Sequence, residues 1–387
     1  MISNAVAFKL FAAAIALGNV AIATAVLPTS QAVAFLSAVS FAQLFQPLAG
    51  FGLVTRLVAI KDEATILATR HRSYFALYGV AVSGLAVLVS FAQGAPLEIV
   101  LFAAALTAHA VESERVRAGF GSHAGIYVQN ITVFLGSLTV LVLGEFTFLP
   151  AVLMIIALVA YQGFVPERGF EGERVESMKP NVTDVVKGVR AMSVTQFYSA
   201  IVVVSALLLP AAEALLVTLV YRSGLFFNWQ LFYWMRFGHK DALDINTPEN
   251  RATNRRLSRL SLISFVGAAV GTVVVNFITP VADLLDRFDG TDIARLAILI
   301  TAYGGFQFLL SRTFPFEATV VYRTGSGADW VYLGLCAVAL VVTAVGAAST
   351  QSAVALLVIV EVCRVAFRVL SRRQFSDLPQ ATQSASV

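Results

Sequence analysis

Charge is scarce in this chain. Of its 387 residues only 13% are Asp, Glu, Lys or Arg, against about a quarter in an average soluble protein. Histidine and cysteine are scarcer, at four and two residues. Cys336 and Cys363 both lie inside apolar runs, where they read as small buried hydrophobes and not as a disulfide or metal pair. No HExxH, P-loop or CxxC pattern occurs. His109 and Glu112 share a helical turn, but two ligands without a third His or Cys are a structural pair. Regular ten-residue alternating segments are absent too, which excludes an outer-membrane barrel. No hydrophilic stretch is large enough for a separate catalytic domain. The sequence therefore predicts no enzyme, cofactor, metal or nucleic-acid partner. Its net charge of +4 comes from basic residues in connectors between apolar runs.

Apolar sequence is what the chain has in abundance, at 58% hydrophobic residues and a mean hydropathy of +0.80. It comes in runs of helix-spanning length, and a helix satisfies its own backbone in hydrocarbon. Twelve spans are predicted: 5–27, 33–55, 73–93, 97–118, 125–143, 147–164, 189–209, 213–236, 258–282, 293–311, 328–346 and 352–370. Ala23-Thr24-Ala25 has the look of a signal-peptide cleavage site, yet Lys9 is not concentrated at the start and the run is long enough to span, so the first helix is expected to be retained.

Lys and Arg fall in alternate connectors: Arg56 to Arg72, Arg115 with Arg117, Arg168 to Arg190, Arg236 to Arg259, Arg312 with Arg323, and Arg372 with Arg373. The intervening connectors carry almost none, Arg287 and Arg295 excepted. Cytoplasmic loops are the basic ones, so both termini are expected in the cytoplasm. The connector at 165–188 divides the chain into a six-helix lobe at 1–164 and a second at 189–371, followed by a polar cytoplasmic tail at 372–387. Leu27-Pro28 with Gln31-Ala32 returns 182 residues later as Leu209-Pro210 with Glu213-Ala214. Each half starts and ends on the same side, so the repeat is parallel. The expected fold is an all-α membrane protein of two pseudo-symmetric six-helix bundles.

Polar groups inside spans face the bundle interior or a wet cavity, because facing lipid is costly. Arg222 lies about ten residues into the eighth span, roughly 15 Å deep. Thr218 and Trp229 fall near its helical face, adding a hydroxyl and an aromatic platform for a sugar. Ser40, Gln43 and Gln46 form a stripe on the second span, suited to sugar hydroxyls or to helix–helix bonding. Glu112 with Arg115, Glu114 with Arg117, and Glu361 with Arg364 are spaced for local ion pairing or a gate, and Arg368 snorkels. Asn19, Gln129, Asn130, Gln196, Asn228, Gln230, Asn276 and Gln307 read as interhelical glue.

Two stretches carry a family resemblance. Residues 32–56 end in a Gly52-Leu53 step and Arg56, and residues 211–222 run from Ala211 to Arg222. They resemble the second helix and the eighth-helix entry of the multidrug/oligosaccharidyl-lipid/polysaccharide exporter superfamily, most of all its bacterial O-antigen and exopolysaccharide flippases. The chain is shorter than typical members. The resemblance implies alternating-access translocation of an undecaprenyl-pyrophosphate-linked repeat unit across the bacterial inner membrane, through a cationic cavity, for surface polysaccharide biosynthesis. It implies a polysaccharide polymerase and glycosyltransferases as partners, besides the lipid-linked substrate and membrane lipids. A cation-coupled drug exporter of the same superfamily would want carboxylates deep in the first lobe, where this chain has Asn19. A major-facilitator carrier would want a Gly-x-x-x-Asp-Arg-x-Gly-Arg-Arg loop, which residues 52–62 lack. A polymerase-type transferase would want a large external loop, and the external connectors are short.

Overall fold

A computed structural model of the chain describes residues 11, 15, 18–59, 68, 71–120, 124–163, 179–195, 197–224, 227–229, 233, 247–277 and 290–311. Among them every regular element is helical, and no strand occurs. We number the helices α1 (Thr29–Leu44), α2 (Leu53–Ala59), α3 (Arg72–Ala92), α4 (Leu97–Phe120), α5 (Ala124–Leu143) and α6 (Leu149–Gly163). There follow α7 (Val182–Thr195), α8 (Phe197–Leu208), α9 (Ala211–Gly224), α10 (Pro248–Phe277) and α11 (Gly290–Ser311). The chain is thus all-α, as expected. The predicted spans at 328–346 and 352–370 lie outside the described residues.

Among the described residues three stretches have the length and apolar composition to cross a membrane: Thr29–Leu48 (α1 together with the 3-10 turn that follows it), Arg72–Ala92 and Pro248–Val274. Their outward faces are apolar. Leu77, Val80, Leu88 and Phe91 project from α3, and Ile263, Val266 and Val270 from α10. Patches of this extent mark contact with a membrane or a partner.

α1 is the central element. Pro28 caps it with an extended φ of −52° and ψ of 145°, and residues 32–42 are all buried. A helix that is apolar all round belongs in an interior, and α1 packs against α4, α8 and α9. Phe35 stacks on Phe102 at 5.3 Å, and Phe146 closes the trio.

The predicted second span at 33–55 is not one helix. α1 stops at Leu44, Gln46–Leu48 makes a single 3-10 turn around Pro47, and α2 resumes at Leu53. Proline cannot continue the ladder, and Gly50, Phe51 and Gly52 all take positive φ (62°, 58° and 87°). Tyr78 donates its hydroxyl proton at 3.0 Å to the Phe45 carbonyl, which also accepts from Leu48 N–H at 3.1 Å, and meets the Phe51 ring edge-on at 5.3 Å.

The stretch that opens at residue 179 supplies the counterpart of this break. α7 begins with a capping box: Asn181 N–H donates to Asp184 Oδ2 (3.1 Å), and Asp184 N–H to Asn181 Oδ1 (2.9 Å). Its inner face is set against the 3-10 turn through two glycines. A Cβ on Gly52 would lie 2.0 Å from the Asp184 carbonyl oxygen, and one on Gly188 2.8 Å from Leu48. Neither approach is open to a larger residue. Gly52→Ala adds this backbone clash to a left-handed strain of about 1–2 kcal/mol, whereas Gly94→Ala (φ 67°, open space around it) meets only the strain. Thermal unfolding in detergent, followed by intrinsic fluorescence, is expected to show a clearly larger drop in Tm for Gly52→Ala; equal drops would disprove the seating of α7 on the turn.

Candidate functional site

The described interior contains a small cavity of about 50 Å³ between the first segment, α1, α4, α5 and α9. Its polar lining is Asn19, Gln43, Asn130 and Arg222, and Val39 and Leu106 are among the apolar walls. Arg222 stands in the last turn of α9, 7% exposed. Its Nη2 donates to Ser40 Oγ (3.1 Å) and to the Leu36 carbonyl (3.4 Å), both on α1. Ser40 Oγ in turn donates to Leu36 O at 3.0 Å. Among the described residues Arg222 Nε and Asn19 Oδ1 have no hydrogen-bond partner. Ion pairs among the described residues join Arg115 to Glu112 and Arg117 to Glu114, and none reaches Arg222. The cavity is therefore lined by a cation held on neutral acceptors, with one N–H to spare, and by amides.

The candidates from the sequence divide around this cavity. Ser40, Gln43 and Arg222 come together. Thr218 does not join them: fully buried, it donates its hydroxyl to Ala214 O within its own helix at 2.9 Å. Trp229 lies beyond α9, which ends at Gly224 and not at 236. Its indole N–H donates to Ser264 Oγ (2.9 Å) and its backbone N–H to Ser261 Oγ (3.1 Å), both on α10. The shared face expected for Thr218, Arg222 and Trp229 needed an unbroken helix, and Gly224 ends it. Gln46 is buried in the 3-10 turn, 2% exposed, and does not line the cavity. Glu361 and Arg364 lie outside the described residues.

Asn19 and Asn130, read from the sequence as helix glue, are lining residues. Their position in a span carries no signal of which way they face. The Arg222–Ser40 contact did leave a signal. The two residues are 182 positions apart, which is also the offset of the Leu-Pro repeat.

Glu112 and Arg115 form a second buried polar group, at the far end of α4. Arg115, fully buried, grips Glu112 through Nε (2.9 Å) and Nη2 (2.6 Å) and donates Nη1 to the Ala68 carbonyl at 3.1 Å. Arg117 binds Glu114 one turn face away. His109 is on the same helix, but among the described residues no three His, Cys, Asp or Glu side chains are grouped to hold a metal ion.

No family model matches the chain, and neither a curated protein nor a solved structure matches it.

A closed bidentate pair anchored to a carbonyl is a structural element, and breaking one side of it leaves a charge in the interior. Glu112→Gln is expected to cost about 3–5 kcal/mol, whereas the paired replacement Glu112→Met with Arg115→Leu recovers most of that loss. The yield of monodisperse protein after a heat step measures both. A Glu112→Gln protein as stable as the parent would show that the pair bears no load.

Proposed function

We propose that the chain is a multi-pass flippase of the bacterial inner membrane that carries a polyprenyl-pyrophosphate-linked oligosaccharide from the cytoplasmic to the outer leaflet by alternating access. Twelve helices in two six-helix lobes, with both termini cytoplasmic, are the architecture that goes with this reading. The observation that carries it is Arg222. A guanidinium in a membrane interior is expensive, and here its partners are a hydroxyl and a carbonyl, with Nε left over. A phosphate oxygen is the better acceptor, because charge-assisted and forked bonds to arginine are about twice as strong as neutral ones. Asn19, Gln43 and Asn130 beside it supply amides of the kind that bind sugar hydroxyls. Their lack of a carboxylate is what sets this cavity against the cation-coupled exporter reading.

The cavity's 50 Å³ holds a few water molecules at most. A sugar pyrophosphate needs far more, so the conformation described is a closed one and transport requires α1 and α9 to part around Arg222. Arg222→Ala is expected to abolish surface polysaccharide, by more than about tenfold, with the protein at normal abundance in the membrane. Arg222→Lys keeps the charge without the fork and is expected to retain a fraction of export. Immunoblots of polymer and of protein from the same cells decide it; wild-type polymer from Arg222→Ala removes the residue from the substrate path.

A further inference from the structure

α1 belongs to the first half of the chain and α9 to the second, and their polar contact at the cavity is Arg222 Nη2 on Ser40 Oγ and Leu36 O. Ser40 is fully buried, and its own proton is spent on Leu36 O at 3.0 Å, so its oxygen is oriented to accept from Arg222. Resting on the flippase reading, we propose that the Arg222–Ser40 bond is a latch between the two halves, released when an anionic phosphate oxygen displaces Ser40 from the guanidinium.

Three features of the contact lead there. The acceptors on α1 are neutral, so they hold Arg222 well enough to close the cleft but yield to a phosphate oxygen. Nε has no hydrogen-bond partner among the described residues, so an entering anion has a first donor to engage before any existing bond breaks. Ser40 is on a helix of the first half of the chain and Arg222 on one of the second, so parting them parts α1 from α9. A ligand that strips Ser40 from Arg222 thereby favours the open arrangement by its differential affinity. A neutral lipid-linked sugar offers no such exchange and leaves the latch closed. Selectivity for a charged headgroup is thus enforced by the opening step itself.

Pairs of spin labels report the separation of the halves without touching the cavity. Leu77→Cys with Leu262→Cys, and Phe91→Cys with Val274→Cys, place one pair near each end of the apolar stretches of α3 and α10, at exposed positions. Cys336 and Cys363 are replaced by alanine, and the full chain is measured by pulsed electron resonance in nanodiscs. Ser40→Ala is expected to add a population of changed distance at one end without any ligand. Inorganic pyrophosphate is expected to draw the Ser40 protein toward that same distribution and to have no effect with Arg222→Gln. An unchanged distribution in Ser40→Ala overturns the latch, as does an unresponsive Ser40 protein in pyrophosphate. The pyrophosphate arm needs no change at Ser40, so a poorly folded Ser40→Ala leaves the proposal testable. The flippase reading is judged separately, by polymer export from Arg222→Ala cells: lost export with no change in the spin-label distances sinks the latch alone.

Discussion

An arginine side chain placed between helices, away from bulk water, must be met by something. In this protein Arg222 is met by a serine hydroxyl and a main-chain carbonyl of the helix from the other half of the chain. That arrangement satisfies two of the guanidinium's bonds and none of its charge. The closeness of α1 and α9, the size of the cavity and the burial of Asn19 all follow from how tightly that contact is drawn. A carboxylate at position 40 would have made a closed pair like Glu112–Arg115, stable and inert. The difference between the two arginines lies in what each is paired with. One anchors a helix; the other keeps an N–H with no partner among the described residues.

Around this contact the fold uses interrupted helices. α1 gives way to a 3-10 turn at Pro47, and α9 ends at Gly224, after which Phe227 tucks over Gly304 and Asn228 reaches Gln307 at 3.4 Å. At 16 and 14 residues, neither α1 nor α9 is long enough to cross a bilayer alone. Each stops within a turn or so of the cavity. Broken helices at membrane depth are tolerated where the freed groups find partners inside the protein, and the Tyr78 hydroxyl on the Phe45 carbonyl is one such partner.

Much of this was legible in the sequence, for identifiable reasons. The helical class followed from run length and scarce charge. Arg222, Ser40 and Gln43 stood out because interior polar groups are rare. Other features left no trace. The end of α9 is masked by Phe226, Phe227 and Trp229, which keep the hydropathy high after the helix has stopped. The first turns of α7 are hidden in a polar connector, because a helix that packs through glycine and a capping aspartate has no apolar run to betray it. Thr218 points along the expected face, but face alone cannot say whether a hydroxyl is free or bonded back to its own carbonyl.

α10 has a consequence of its own. At 30 residues and about 1.5 Å per residue it is roughly 45 Å long, half as long again as a hydrocarbon layer of about 30 Å. Its first three turns carry Arg251, Arg255, Arg256 and Arg259, with Leu257 turned inward and buried. In a bilayer those turns stand proud of the acyl chains among phosphates, and the apolar remainder matches the oily layer nearly upright. Thinning the membrane would force α10 to lean, and its packing on α11 through Thr272 and Thr301 (2.7 Å) would carry that lean into the neighbouring helix.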